Sequence, residues 1–433
     1  MTLSDFIKEA KSLKINKPKY SSVIKYNTKN ALILFGSSFL SLIITVGITP
    51  IITRIYSGSD FAVLSLYTSF INIITQFITF KYDYKIASSK NIKEAKSLLI
   101  ISCFVAFVIS AALFLIIPFK TVFLQLIKIN TADFLYFVPI GALFVGINAP
   151  LCNTAIYLEK YKLAGASLII RGFVTGMFQL LFFDKLQLSL VLSQCVGYIV
   201  SDAVLFFPFF GKLKKAKVPI DAVVETAKQN IGYPKYLVIG SLCACCSFNF
   251  QNFIIISLFG EIIGGNYAVV IRILSVPITV IGTAIGQILL KNIGGGKSLA
   301  DATNIIKKTS YFLWVSSILG FAGIFIMRKF IVGIFLGSKY DFAMLFLIYL
   351  LPYFLVKFAV SPVILVLPIF KKQKETTIWQ GLLLFATLII YIISSALNLG
   401  IESYLLLYTI TMSVLYLAIY FYTINLKTKL SKS

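Results

Sequence analysis

Three basic residues, Arg171, Arg272 and Lys357, fall inside long apolar runs of this 433-residue chain. An arginine at the centre of a membrane helix costs about 2.5–3.5 kcal/mol on insertion scales, so each must face a cavity or a partner. Arg272 is followed by Pro277, which removes a backbone donor and bends a helix. A guanidinium fixed on such a helix suits phosphate, whose oxygens it can hold in bidentate fashion. The structural alternative is an arginine paired with an acid or with helix carbonyls. Lys357 lies about 14 residues, or roughly 21 Å of helix, from the nearest flanking charges. That is too deep to snorkel, and the lysine reads as lumen-facing. Asp202 is the acid well inside a run, and with Arg171 it lies about eight residues, roughly 12 Å, from the ends of two consecutive runs. Two roles stay open for Asp202: an ion pair with Arg171 that fastens two helices, or a proton or sodium site that couples a gradient to transport.

The remaining chemistry is sparse. Histidine is absent, which removes the usual general base and the commonest metal ligand. Cysteines 103, 152, 195, 243, 245 and 246 all sit in apolar runs, with neither a disulfide framework nor zinc-ligand spacing. The run Gly294–Ser298 (GGGKS) resembles a phosphate loop but lacks the upstream glycine and a preceding strand, so it reads as a cytoplasmic turn. No catalytic residue, metal site or cofactor is expected, and the chain is not read as an enzyme.

The elements that must position these charges are membrane helices. With 58% hydrophobic and 13% charged residues, the chain is expected to be an all-α polytopic membrane protein. Twelve spans are read: roughly 31–53, 61–80, 98–118, 134–157, 163–183, 188–210, 237–259, 265–290, 311–327, 342–370, 378–397 and 403–424. The formal charge of +24 is assigned to orientation rather than to nucleic acid. With both termini in the cytoplasm, inner segments carry 30 basic residues and outer segments 7. The first 30 residues lack the apolar core of a cleavable leader. Phe6, Ala10 and Leu13 recur among their lysines at helical spacing, consistent with a short helix on an anionic leaflet or with a solvated tail.

The longest polar connection, 211–236, splits the chain into six spans and six. The expected organisation is a basic cytoplasmic segment at 1–30, an N-lobe at 31–210, a cytoplasmic linker at 211–236, a C-lobe at 237–424 and a tail at 425–433. A faint repeat agrees with the split. Gly58-Ser-Asp-Phe-Ala-Val opens the second span, and Gly265-Asn-Tyr-Ala-Val opens the eighth.

Several segments resemble the polysaccharide biosynthesis flippases, the Wzx-type O-antigen and lipid-linked oligosaccharide translocases of the multidrug/oligosaccharidyl-lipid/polysaccharide exporter superfamily. In the first half these are Arg54–Ala62 (RIYSGSDFA), Leu66-Tyr67 and Lys81–Ala87 (KYDYKIA). Gly58, Ala62 and Asp83 stand where the family usually has proline, glycine and glutamate. In the second half they are Tyr233–Tyr236 (YPKY), Phe259-Gly260 to Ala268, Arg272 to Pro277, Ile285-Gly286-Gln287, Gly337 to Ala343 and Ser361-Pro362.

The resemblance implies two six-helix bundles around a central cavity that alternates between leaflets of a bacterial inner membrane. It implies a polyprenyl-pyrophosphate-linked oligosaccharide as substrate, an O-antigen or related lipopolysaccharide repeat unit. Membrane lipids, a polysaccharide polymerase and a chain-length regulator are its implied partners. Arg272, Lys357 and Arg171 would bind the anionic substrate, with Asp202 as ion-coupling candidate. Gln251, Asn252, Gln179 and Asn249 would face the sugar, and Arg54, Asp60, Asp83 and Pro277 would serve gating or structure. The rivals are a membrane enzyme of the same pathway, a polymerase or glycosyltransferase, and a small-molecule efflux transporter of the same superfamily. Long outer loops or clustered acids, which such enzymes need, are missing from this chain.

Overall fold

The computed structural model describes residues 20–127, 133–182, 188–215, 218–231, 238–282, 285–286, 289, 299–336, 342–367, 370 and 372–425. The amphipathic segment around Phe6, the Tyr233–Tyr236 and Gly294–Ser298 segments, Gln287, Gly337–Tyr340 and the tail beyond Asn425 lie outside these. Every described element is helical. In chain order the helices used below are α1 (Tyr20–Gly47), α2 (Thr49–Ile55), α3 (Gly58–Thr75), α4 (Ile92–Leu113), α5 (Phe137–Tyr157), α6 (Tyr161–Leu181), α7 (Ser189–Lys215) and α8 (Ile220–Gln229). The second half continues with α9 (Val238–Phe259), α10 (Glu261–Pro277), α11 (Leu299–Ile326), α12 (Arg328–Phe335), α13 (Ala343–Ile364), α14 (Gln373–Ala396) and α15 (Ile401–Ile424).

Hydrocarbon satisfies no backbone group, so the apolar runs fold as helices that pair their own N–H and C=O groups. Among the described residues, eleven helices are long and apolar enough to cross a membrane. The twelfth expected span is α3, which carries Asp60, Asn72 and several hydroxyls and ends at Thr75 rather than near residue 80. It tolerates this polarity because protein sheathes it: Phe61 through Tyr67, Ser69, Ile71 and Ile74 are all buried. Lipid-facing surface lies elsewhere, at side chains such as Phe104, Phe107, Leu115, Leu319, Phe385 and Ile392.

The helices form two lobes. In the first, α6 packs on α1 and α7, and α5 on α4 and α7. In the second, α13 packs on α15 and α11, and α14 on α9 and α15. The amphipathic linker helix α8 lies against α4, with Tyr82 Oη donating to the Ala227 carbonyl at 3.3 Å.

The lobes meet where α3 lies along α9 and α10. Gly58 opens α3 behind an N-cap at Ser57, whose hydroxyl takes the Asp60 N–H while the Asp60 carboxylate takes the Ser57 N–H. This capping box gives Asp60 a structural role. Proline is equally at home at the first position of a helix, so Gly58 keeps the helix start while departing from the family's usual residue. Its lack of a side chain is needed for another reason. A Cβ on Gly265 of α10 would overlap the Gly58 carbonyl oxygen, and one on Gly58 would stand 3.2 Å from the Ile262 carbonyl. The two copies of the repeat are thus in backbone contact across the lobe interface. Gly260, at φ 90°, makes the α9–α10 corner in a conformation that glycine adopts without strain.

Gly265→Val is expected to wedge this crossing and cost about 1–3 kcal/mol. It should lower the melting temperature of the purified protein in detergent. Gly320→Ala, with nothing within 4 Å of the added Cβ, should leave it unchanged or slightly higher.

Candidate functional site

The interior charges are held by neutral partners. Arg272, on α10, donates from Nη2 to the Thr45 carbonyl of α1 at 3.0 Å, across the lobe interface. Thr45 lies in the last turn of α1, just before the junction with α2 at Ile48. Its carbonyl also accepts the Thr49 hydroxyl at 3.1 Å. The structure therefore gives Arg272 the helix-carbonyl partner, from the opposite lobe. Beyond it, α10 ends at Pro277 and the chain continues through a π-turn, Ile278–Gly282. Such turns accommodate a lost i→i−4 bond and are frequent at functional sites.

Lys357 sits on α13 with Nζ 4.1 Å from the centre of the Phe248 ring, 5.4 Å from Tyr353 and 5.5 Å from Phe354. It lines a cavity of about 260 Å³ inside the C-lobe, between α9, α13, α14 and α15. The sequence places Lys357 towards the central lumen; the space it lines here lies within one lobe.

In the N-lobe, Arg171 and Asp202 do not form an ion pair. The guanidinium lies over the Tyr198 ring at 4.7 Å. Asp202 Oδ1 instead accepts from Asn148 Nδ2 at 2.6 Å, and the same amide nitrogen also reaches the Ser201 hydroxyl at 3.0 Å. Oδ2 is buried with no hydrogen-bond partner among the described residues. An amide supplies a donor at hydrogen-bond distance without desolvating a second charge, which accounts for Asn148 taking the place expected of Arg171.

The expected sugar-facing residues have other tasks. Asn249 Oδ1 accepts from Asn72 at 3.1 Å, and Asn252 donates to Ser69 at 2.8 Å, so both join α9 to α3. Tyr56 Oη donates to the main-chain carbonyl of Gln179 at 2.7 Å, and the Gln179 side chain is buried with Nε2 unbonded among the described residues. Gln251 is fully buried, with both side-chain polar atoms lacking a hydrogen bond among the described residues. Arg54 is exposed and donates to the Pro50 carbonyl at 3.5 Å.

Asp83 belongs to a tight corner after α3, where Phe80 and Lys81 adopt left-handed φ values of 46° and 61°. Its carboxylate accepts from the Thr79 hydroxyl and from Asn153 at 3.4 Å. Burial raises the Asp83 carboxyl above its ordinary range, against the lowering effect of Thr79 and Lys81. Lys81 is shifted the other way by its own burial.

Two contributors carried legible but unread signals. Asn148 is a polar residue two positions before a mid-span proline, Pro150. The rings around Lys357 include Tyr408 and Tyr416, eight residues apart on one face of α15. Thr45 left no trace in residue type, because it contributes a backbone carbonyl.

Among solved structures, an inward-facing multidrug resistance MATE family transporter of the MOP superfamily superimposes with a TM-score of 0.66 at 12% identity, over 92% of this chain and 95% of that one. The chain has the MATE-type fold. An outward-facing MATE transporter gives 0.62 at 12% identity, over 94% and 97%. A MOP superfamily transporter from Pyrococcus furiosus, described by the reverse polarity of its binding pocket, gives 0.60 at 12% identity, over 91% and 94%. No family model and no curated protein matches the sequence. The MATE-type fold accounts for the two helical lobes.

Asp83→Asn should keep the acceptor for Thr79 while removing a buried charge. A buried acid with a raised folded-state pKa destabilises the fold increasingly as pH rises from its unfolded pKa to its folded one, and the penalty disappears when the acid is protonated in both states. The variant is therefore expected to melt above the parent at pH 7, with the gap closing as pH falls towards about 4. Thermal melts across that range check the sign.

Proposed function

We propose that this chain is a flippase that moves a polyprenyl-pyrophosphate-linked oligosaccharide from the cytoplasmic to the outer leaflet of a bacterial inner membrane by alternating access. The observation that carries this reading is electrostatic. Arg171, Arg272 and Lys357 all lie within spans, and none of the three forms an ion pair among the described residues. An interior with fixed cations and neutral partners favours an anionic substrate. The motif resemblance narrows that anion to a lipid-linked pyrophosphate.

The chemistry of the clasp fits such a cargo. A guanidinium carries five donors, and one Arg272 bond goes to the Thr45 carbonyl. The bond to Thr45 is charged on the donor side alone, whereas a pyrophosphate would be charged as well and could take the guanidinium in bidentate fashion. An arriving pyrophosphate would therefore compete for Arg272 and loosen a bond between the lobes, which links substrate binding to lobe movement. Asp202, with one oxygen unpaired and an amide on the other, is the candidate for the coupled proton or sodium ion. The basic bias of the expected inner segments supports the assignment of both termini to the cytoplasm.

Small-molecule efflux is the second reading, favoured by the likeness of the fold to multidrug MATE transporters. The unpaired interior cations would then select organic anions.

A deletion strain is expected to accumulate single lipid-linked repeat units on the cytoplasmic face. Unpolymerised units on the outer face would point instead to a polymerase. In proteoliposomes, Arg272→Ala should reduce translocation of a lipid-linked oligosaccharide by at least about tenfold, and Arg272→Lys should restore only part of it, because the bidentate fork is lost. Unchanged membrane abundance must accompany the loss. Disappearance of the protein would assign Arg272 a purely structural role. Repeating the assay with proton or sodium gradients on parent and Asp202→Asn tests the coupling role.

A further inference from the structure

The cavity around Lys357 has a wall chemistry unlike that of the lobe interface. Phe248, Tyr353, Trp379, Tyr408 and Tyr416 surround it. They brace one another edge to face: Tyr353 against Tyr408 at 5.6 Å and Tyr416 at 5.7 Å, and Tyr416 against Trp379 at 5.0 Å. The Trp379 indole N–H is committed to the Leu415 carbonyl at 2.9 Å. This network holds the rings in place without occupying the cavity.

The lysine ammonium has three donors, and its neighbours are ring faces. Among the described residues no carboxylate pairs with it. Of the lining hydroxyls, Ser361 donates to the Lys357 carbonyl at 2.6 Å and Ser247 to the Ala244 carbonyl at 2.8 Å, and Tyr353, Tyr408 and Tyr416 bring three more. Their lone pairs remain available, and Gln380 adds an amide to the wall. The site therefore offers one fixed positive charge, a few polar groups and flat apolar walls, with no counter-anion.

Size and charge limit the occupant. At about 260 Å³ the cavity falls just below the roughly 300–1,000 Å³ typical of drug-sized ligands, so it suits one ring rather than a chain of sugars. A single lysine neutralises a single negative charge. A phosphate dianion would leave excess charge desolvated among aromatic rings, which is costly. The lining residues Ala244, Leu365 and Gln380 place the cavity in the half of the C-lobe away from Gly58, and the exposed side chain of Leu365 marks its mouth.

We infer that this chamber is a binding site for a ring-sized organic monocarboxylate, its carboxylate on Lys357 and its ring between the aromatic walls. The inference extends the reading of Lys357 as an anion-binding cation. The carboxylate could belong to an acidic sugar of a lipid-linked saccharide or to a free aromatic acid. Both present the same chemistry to the lysine.

The chain has two tryptophans, Trp314 and Trp379. Trp314→Phe makes Trp379, in the chamber wall, the sole tryptophan reporter in the purified full-length protein. Titration with glucuronate or benzoate is expected to produce a saturable emission change, whereas glucose and benzyl alcohol should not. A stronger response to glucuronate supports the site with a sugar acid as its occupant, and a stronger response to benzoate supports it with a free acid. Lys357→Met, which keeps the apolar stem, should weaken binding at least about tenfold. If that variant does not fold, Ala244→Leu, which fills the chamber from its wall without touching the lysine, should do the same. No saturable change with either carboxylate, or an undiminished response in the folded variant, overturns the inference. Because no transport is measured, failure here leaves the flippase reading standing, and failed translocation with intact binding has the opposite meaning.

Discussion

A charge in hydrocarbon must find compensation, and the architecture follows from where each interior charge finds it. Arg272 reaches the Thr45 carbonyl of the other lobe, Arg171 lies on Tyr198, Lys357 lies among rings, and Asp202 takes an amide. None of these partners carries an opposite charge. Neutral partners avoid the penalty of desolvating a second ion. They also leave each of the three interior cations without an ion pair among the described residues. The last turn of α1 contributes to the same arrangement, since it is where the first span meets the arginine.

The consequence is a divided interior. At the lobe interface, one arginine bonds to a backbone carbonyl, with Asn72–Asn249 and Ser69–Asn252 bonds and the Phe70–Phe253 contact nearby. Inside the C-lobe, one lysine stands in a separate aromatic chamber. The first arrangement resists separation of the lobes through hydrogen bonds, about 1 kcal/mol net for each between neutral groups and about 1.5–3 kcal/mol for the one from the guanidinium. The second contributes nothing to holding the lobes together and is free to be specific. A headgroup with two distinct anionic parts would find two distinct cations, at the interface and within the C-lobe.

Most of the helical architecture was legible because apolar length is a strong signal. The exception is instructive. Span α3 reads as a membrane helix only by its place in the series, since Asp60 and Asn72 dilute it, and it is the helix that protein covers most fully between the lobes. Depth along a span was legible for Arg272 and Lys357, because charge spacing measures depth. Azimuth was not. The sequence could not show that Arg272 points across the interface and Lys357 into its own lobe, nor that Asn148 rather than Arg171 faces Asp202. Those choices depend on helix rotation, set by small residues such as Gly197, where an added Cβ would meet the Thr175 hydroxyl, and Gly172, where it would meet Ser41. Azimuth also separates the expected sugar-facing residues, of which Asn249 and Asn252 bond to α3: a polar residue on a buried helix serves an interhelical bond as readily as a ligand.

The crossing of Gly58 and Gly265 has a mechanical meaning beyond close packing. Helices usually interlock through side-chain ridges and grooves, and turning one against another means lifting ridges out of grooves. Here the backbones touch with no side chain between them, so the contact has no teeth. Each half of the chain supplies one of the two glycines, from the start of its repeat segment. Further along the same pair of helices side chains do mesh, Phe61 and Leu64 sharing one buried cluster with Tyr267, Val269 and Val270, so the glycines make a single bare point on an otherwise toothed seam.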